Sequence, residues 1–291
     1  MKKRWKLLLF GAVCMFAMSG CGAEGKEEIT ADAVQEYVQK AHAMLEEADS
    51  FAADFHAVAD MGGGNETTTE GTVTFVKEPL QVQVQRNILF DDGVRESRSE
   101  EKAYLEEADD EVNYYMNYDG QWTEMTLDEE SALAVTQIYN TLYNMETIFS
   151  AAENWTAKKV DGDIVLTGSI PEEKFYDVES YTRWFQLAGM SGLAEVYYAG
   201  VGDVPVTVTL DSKTGEPLSY SVDLAHALET VTNNVLKELS GGASGSGIEA
   251  EKYVITSELT QLGGVEAAEI PAEAKSSAIN YEKEISMLEN E

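Results

Sequence analysis

Apolar and polar side chains alternate with a period of two over much of this sequence. The first such run has apolar residues at every second position: Phe51, Ala53, Phe55, Ala57, Ala59 and Met61. The same period returns around residues 73–75, 80–84 and 112–118. Because successive side chains of a β-strand point to opposite faces, this spacing predicts strands with one apolar face. A sheet of such strands has to cover that face with another layer.

Short turns separate the alternating runs. Asp92-Gly93, Asp119-Gly120 and Asp161-Gly162 each place a glycine where a tight hairpin needs a positive φ. A further hairpin is predicted about residues 211–215, and residues 253–259 are typical of a closing strand. Because two-residue hairpins join antiparallel neighbours, the pattern predicts an antiparallel meander.

Four stretches have the helical period instead. Their apolar stripes lie within residues 34–48, 138–149, 175–185 and 224–239. Thr30 is predicted to cap the first helix, Thr126 and Glu129 form a capping-box pattern before the second, and Pro171 opens the third. The order of elements predicts an α+β fold. We expect a strongly curved antiparallel sheet of about nine to eleven strands, enclosing or covered by about four helices.

The chain begins with a basic segment and a short apolar run. Basic side chains within residues 2–6 precede the apolar residues 7–18, and Met18-Ser19-Gly20-Cys21 closes the segment. This arrangement is typical of an export signal, and the run is shorter than the ~20 residues that span a bilayer. The closing residues resemble a bacterial lipobox. The resemblance implies that residues 1–20 are removed and that Cys21 carries a diacylglycerol. That lipid would anchor the protein at the outer face of the cytoplasmic membrane, most simply in a Gram-positive cell.

The rest of the chain is predicted to form a single domain. Residues 21–29 are interpreted as a polar tether, residues 30–275 as the folded domain and residues 276–291 as an acidic C-terminal tail. The glycine-serine stretch at 240–247 is too short to separate two domains and is predicted to be a loop.

Cysteine content and charge exclude several classes of function. Cys14 and Cys21 are the two cysteines, so the domain has no thiol for a disulfide, a nucleophile or a metal site. Export without disulfides fits either a Gram-positive envelope or a domain large enough to need none. The formal net charge is −33. A surface this acidic repels nucleic acid and is typical of a soluble protein.

Several catalytic and metal-binding patterns are incomplete. Ser99-Glu100-Glu101-Lys102, Tyr115-Met116-Asn117 and Lys213-Thr214-Gly215 follow the order of motifs in penicillin-recognising serine enzymes. Ser99, however, lies in a charged, strand-like run instead of at the start of a helix. The histidines are far apart, and Asp109-Asp110-Glu111 lacks the spacing of a calcium loop. We therefore predict no catalytic residue, no metal site and no cofactor.

Two segments carry a resemblance to a known family. Tyr118-Asp119-Gly120-Gln121-Trp122 and the hairpin from Val206 to Leu218, behind a lipobox, resemble the Gram-positive lipoproteins related to LolA, LolB and the LppX/LprG group of lipoprotein carriers. The likeness covers most of residues 30–275. It implies a half-barrel closed over by helices, with an apolar cavity that holds acyl chains in some members. Cys21 is the only functional residue that it transfers to this chain.

Aromatic side chains on the predicted strands and helices are the remaining candidates for a binding site. They are Tyr114, Tyr118, Trp122, Phe175, Tyr181, Trp184 and Phe185. They either line a ligand cavity between sheet and helices or fill the core there. Two hypotheses follow. The protein is a non-enzymatic, tethered binder of a lipid or other apolar ligand, or it is an interaction or sensor module that contacts an envelope protein.

Overall fold

The computed structural model describes residues 29–108, 111–241, 247–267 and 269–280. Cys21 with the predicted leader, Asp109 and Asp110, most of the glycine-serine stretch and residues 281–291 lie outside these ranges. The lipidation of Cys21 therefore stays a prediction. Within the described ranges, no helix has both the length and the apolar character needed to cross a bilayer.

The strands of the described residues all belong to one sheet. Their bounds are Ser50–Asp60 (β1), Glu66–Val76 (β2), Gln81–Asp91 (β3), Glu96–Ala108 (β4), Glu111–Tyr118 (β5), Gln121–Leu127 (β6), Glu153–Val160 (β7), Asp163–Ile170 (β8), Val204–Leu210 (β9), Pro217–Asp223 (β10), Lys252–Leu262 (β11) and Ile279–Asn280 (β12).

Two antiparallel meanders make up this sheet. The first runs from β1 to β6 and the second from β7 to β11, and β1 pairs with β11 between them. The sheet is curved and unclosed, with β7 and β12 at its opposite ends. The predicted antiparallel α+β architecture is confirmed. The strand that the sequence did not predict is β12, which pairs in parallel with β6 and is too short to show an alternation.

Six α-helices accompany the sheet in the described residues: Ala31–Glu47 (α1), Glu129–Thr136 (α2), Thr141–Ala151 (α3), Glu172–Thr182 (α4), Ala225–Leu239 (α5) and Ala272–Ser277 (α6). Thr30 caps α1 as predicted, because its hydroxyl accepts a hydrogen bond from the Ala33 amide at 3.4 Å. The longer helices α1, α3, α4 and α5 correspond to the four that the sequence predicts.

The predicted start of the second helix was wrong. Thr126 belongs to β6, where it pairs with Asn113, and it is not available as a cap. Asp128 takes that position, and its Oδ1 accepts a hydrogen bond from the Ser131 amide at 2.7 Å. The stretch that follows is divided into α2 and α3 instead of forming one helix.

The main core lies between helices α1–α5 and one face of the sheet, which we call the inner face. Its fully buried side chains include Phe51, Phe175, Trp184 and Tyr253. A smaller cluster lies on the opposite, outer face, where α6 and the residues before it cover part of β4–β6. Its buried members are Tyr104, Tyr115, Trp122, Ile270 and Ala274.

Candidate functional site

Three of the seven predicted aromatic residues lie together in the main core. Phe175, Trp184 and Phe185 are at most 1% exposed. The ring centroids of Phe175 and Phe185 are 5.9 Å apart, and Phe185 stacks on Tyr198 at 6.0 Å. These rings pack against one another and fill the space between sheet and helices.

The other four aromatic residues are dispersed. Tyr114 lies on the inner face and packs against the main core, whereas Tyr118 on the same face is 50% exposed. Trp122 belongs to the outer cluster, with its ring centroid 5.9 Å from that of Tyr104. Tyr181 is 54% exposed on α4. The structure therefore does not bring the seven residues together at one place.

The inner face becomes accessible toward the tip of the β3–β4 hairpin. Along β3, the buried residues Val82 and Val84 are followed on the same face by Arg86, Ile88 and Phe90. Exposure along this row reaches 41% at Phe90. The helices therefore cover only one part of the inner face and leave apolar side chains open at the other.

Strands β5 and β6 continue this accessible area. Tyr118 is directly opposite Glu101, which is opposite Arg86, so all three side chains share the inner face. Met125 on β6 is 42% exposed on the same face, opposite Tyr114. We call the accessible apolar residues of this face the inner shelf: Ile88, Phe90, Met116, Tyr118 and Met125. Contiguous accessible apolar patches mark interaction sites on soluble proteins, and here the Arg86–Glu101 pair lies between the apolar residues of β3 and those of β5 and β6.

Of these five residues, only Tyr118 is among the aromatic candidates that the sequence predicts for ligand contact. A signal for two others is present, because Ile88 and Phe90 keep the two-residue spacing of the apolar residues 80, 82 and 84, although Arg86 interrupts the apolar run. Met116 was predicted to face inward, but its partial exposure depends on where the helices end.

A polar pair lies within the inner shelf, in the same row as Tyr118 and between Ile88 and Met116. The Arg86 guanidinium donates from Nε to Glu101 Oε2 at 2.6 Å and from Nη1 to the Tyr139 hydroxyl. Burial raises the pKa of Tyr139 to about 12 and raises the pKa of Tyr114 as well, so both phenols stay protonated at neutral pH. The Arg86 and Glu101 side chains are 22% and 18% exposed. They thus offer a paired cation and anion among the accessible apolar side chains.

Among the described residues, one carboxyl group is buried in the main core, next to Phe185. Glu179 of α4 is 6% exposed, and its carboxyl oxygens accept from the Phe185 amide at 3.2 and 3.4 Å. Burial raises the pKa of this carboxyl to about 8, against the opposing effect of those amide hydrogen bonds. The group fastens the end of α4 to the turn that follows it.

Two depressions are present elsewhere on the described surface. One has a volume of about 500 Å³ and opens beside the start of β1, lined by Asp49, Ser50, Val76, Lys77, Glu78, Gly264 and Val265. The other is a slot too narrow for a water molecule, lined in part by Gln81, Tyr104 and Ile270. Neither includes any of the seven predicted aromatic residues.

The serine-enzyme pattern is not assembled. Ser99 lies on the inner face opposite Ile88, whereas Lys102 is three residues along the same strand and therefore points to the outer face. Lys213 lies in the β9–β10 turn, where Asp211 Oδ1 accepts from its amide at 2.9 Å. Within the described ranges, no three histidine, cysteine or acidic residues are grouped closely enough to hold a metal ion.

Comparisons with known proteins give structural likenesses only. No protein-family model matches the chain, and no curated protein matches it in sequence. Among solved structures, the chain is similar to LprF from Mycobacterium bovis, with 12% identity, coverage of 84% of this chain and 99% of that chain, and a TM-score of 0.46.

A second similar structure is a beta-barrel-like protein of a domain of unknown function from Brucella abortus. It has 10% identity, covers 75% of this chain and 99% of that chain, and has a TM-score of 0.17. The α+β assignment itself rests on the strand pairing of this chain.

Proposed function

We propose that this protein is a non-enzymatic, extracytoplasmic lipoprotein that binds a lipid or other apolar ligand on its inner shelf. The observation that carries the proposal is the accessible apolar strip on the inner face, which continues the main core beyond the helices. Tyr114 and Tyr118 are the two predicted aromatic residues that we assign to this site. The lipid on Cys21 would anchor the protein at the outer face of the cytoplasmic membrane of a Gram-positive cell.

The exposure of the shelf indicates what kind of ligand it suits. Phe90, Tyr118 and Met125 are 41%, 50% and 42% exposed, so covering each side chain contributes about 1 kcal/mol. That sum alone is too small for tight binding. The ligand therefore has to supply a long apolar part of its own, at about 0.8 kcal/mol per buried methylene. An acyl chain meets this requirement, and the Arg86–Glu101 pair can hydrogen-bond a polar head group.

The test uses the mature chain with Cys21→Ser, purified without detergent. Native mass spectrometry should detect a bound amphiphile, and a fluorescent fatty acid should bind with an affinity that Phe90→Asp and Met125→Asp each lower at least tenfold. Val160→Asp is the matched control, because Val160 is 39% exposed on β7 at the opposite end of the sheet. Equal affinities for all three variants would contradict the proposal.

The dense packing of the main core favours a second candidate, an interaction or sensor module. Trp184 and Phe185 fill the space that a ligand inside the core would need, and the net charge of −33 suits a basic partner. This candidate predicts capture of a defined envelope protein that weakens as salt is raised. Undiminished capture after neutralisation of the acidic surface would count against it.

A further inference from the structure

A group of buried polar side chains, which we call the polar seam, crosses the main core where α3 meets β10 and β11. Its members are Thr141 and Asn144 of α3, Tyr220 of β10, Ser257 of β11 and Trp184, which follows α4. Each of them is at most 3% exposed. Polar groups this far from bulk water are stable only with hydrogen-bond partners.

The protein alone satisfies one end of the polar seam. The Thr141 and Ser257 hydroxyl oxygens are 2.8 Å apart, and the Ser257 hydroxyl donates to the Asp54 carbonyl at 3.3 Å. Thr141 can therefore donate to Ser257 while Ser257 donates to the backbone. Both hydroxyl protons have an acceptor at this end.

The other end of the polar seam has atoms that the described residues do not satisfy. Asn144 Nδ2 donates to the Ile138 carbonyl at 3.3 Å and to the Tyr220 hydroxyl at 3.2 Å, which uses both of its N–H bonds. Asn144 Oδ1 and Trp184 Nε1 have no hydrogen-bond partner among the described residues. Reversing the amide would place Oδ1 against the Ile138 carbonyl, and two acceptors cannot share a hydrogen bond.

The Tyr220 hydroxyl is the common neighbour of these two atoms. Burial raises the pKa of this phenol to about 12, against the opposing effects of Asn144 and Trp184. The hydroxyl therefore keeps its proton at neutral pH and needs an acceptor for it. The Trp184 indole acts on this phenol but lies outside hydrogen-bond geometry to it. Two donors, the Tyr220 O–H and the Trp184 N–H, thus lie near one acceptor, Asn144 Oδ1.

We propose that this end of the polar seam binds one structural water molecule. Its oxygen accepts from the Tyr220 O–H and the Trp184 N–H, and it donates to Asn144 Oδ1. Three hydrogen bonds are the usual number for a buried water. The water joins α3, β10 and the turn after α4 inside the main core. The inference does not depend on the proposed ligand, because the polar seam is buried and the inner shelf is accessible.

Nuclear magnetic resonance of the mature chain with Cys21→Ser tests this site without changing the polar seam. The Trp184 indole proton should show a cross-peak to water with the sign of a long-lived, bound molecule. Trp155 is the internal control and should show no such cross-peak, because its Nε1 donates to the Ala152 carbonyl at 3.1 Å. Absence of the Trp184 cross-peak, or the sign of a rapidly exchanging water, would overturn the proposal.

Substitutions identify what holds the water. Asn144→Leu removes the acceptor and should abolish the Trp184 cross-peak. Asn234→Leu is the control and should keep it, because the Asn234 amide donates to two backbone carbonyls outside the polar seam. A cross-peak that survives Asn144→Leu would overturn the proposed acceptor.

A further variant distinguishes the water from the Tyr220 hydroxyl proton, which can itself exchange with solvent. Tyr220→Phe should keep the Trp184 cross-peak, because two hydrogen bonds to the water remain. Loss of the cross-peak in this variant would show that it came from the hydroxyl and would overturn the water site. The native-sequence measurement and Tyr220→Phe decide the proposal even if Asn144→Leu does not fold.

Discussion

Among single residues, Glu179 has a carboxyl group that is largely shielded from water. Its carboxyl group is enclosed by the main core and accepts hydrogen bonds from the Phe185 amide. Burial, and after it the Glu179 carboxylate, raises the pKa of the Tyr198 and Tyr253 phenols. Because burial raises the pKa of Glu179 to about 8, the folded protein holds a neutral carboxyl at pH 6 where the unfolded chain holds a charged one.

This difference makes stability depend on pH. Between about pH 4.5 and pH 8 the folded state binds the proton and the unfolded state does not, so the free energy of unfolding falls as pH rises. At about 1.4 kcal/mol per pKa unit, the loss over this range is about 4 kcal/mol. We expect Glu179→Gln to remove this fall and to be the more stable protein at about pH 8.

Urea unfolding at a series of pH values gives the free energy of unfolding of each protein. The effect is the difference between Glu179→Gln and the parent protein at each pH. The parent curve alone also contains carboxylates such as Asp211, whose pKa is lowered by hydrogen bonds from the amides of Thr214 and Lys213. Glu173→Gln, on the exposed side of the same helix, is the control and should leave the pH dependence unchanged. An identical slope for Glu179→Gln and the parent protein would show that the carboxyl is not held neutral.

Among the elements, the division between α2 and α3 links the helices to the candidate site. Asn140 ends a 3-10 turn and caps α3, its Oδ1 accepting from the Tyr143 amide at 3.1 Å. The turn before it carries Tyr139, whose hydroxyl accepts from Arg86 within the inner shelf. The interruption of the helix is therefore what brings a phenol to the sheet.

We expect Asn140→Ala to lower the free energy of unfolding by about 1 kcal/mol, because the first turn of α3 loses its side-chain acceptor. Asn140→Asp keeps an acceptor at the same place and should cost no more than a few tenths of a kcal/mol. Urea titrations of the two variants and the parent provide the comparison. Equal losses for alanine and aspartate would mean that the cap does not stabilise α3.

Across the whole molecule, like charge opposes folding. Acidic residues outnumber basic ones by 53 to 20, and several of the ion pairs, such as Lys102–Glu100, join exposed side chains on the surface. Such pairs contribute little, so they do not offset the repulsion among the remaining carboxylates. The fold is held instead by the apolar core between the two meanders and the helices.

We expect sodium chloride to stabilise the protein. Raising its concentration from about 10 mM to about 0.5 M shortens the screening length from ~30 Å to less than ~5 Å, which weakens repulsion across the surface. The melting temperature should rise by a few degrees, as a change of about 1 kcal/mol produces in a domain of this size. Sucrose of equal osmolarity is the control for exclusion effects. A melting temperature that does not respond to salt would show that the surface charge is already well dispersed.

The elements of this fold were largely predictable because their signals are local. The alternation from Phe51 to Met61 marks β1, and Asp119-Gly120 forms the β5–β6 turn with positive φ at both residues. Thr126 shows the limit of such signals. Its capping-box pattern is real in the sequence, but pairing with β5 outweighs it, and that pairing is a long-range property.

The sequence by itself determined strands β1–β11, most of the helices, the net charge and the absence of thiols in the domain. It also predicts lipid attachment at Cys21. Only the tertiary structure decided which aromatic residues share a site. Trp122 and Tyr114 lie on adjacent strands yet face opposite sides of the sheet, because the register of β5 and β6 sets the face of every side chain. Alternation shows that residues share a face. What covers that face depends on where the helices pack, and they leave the inner shelf open.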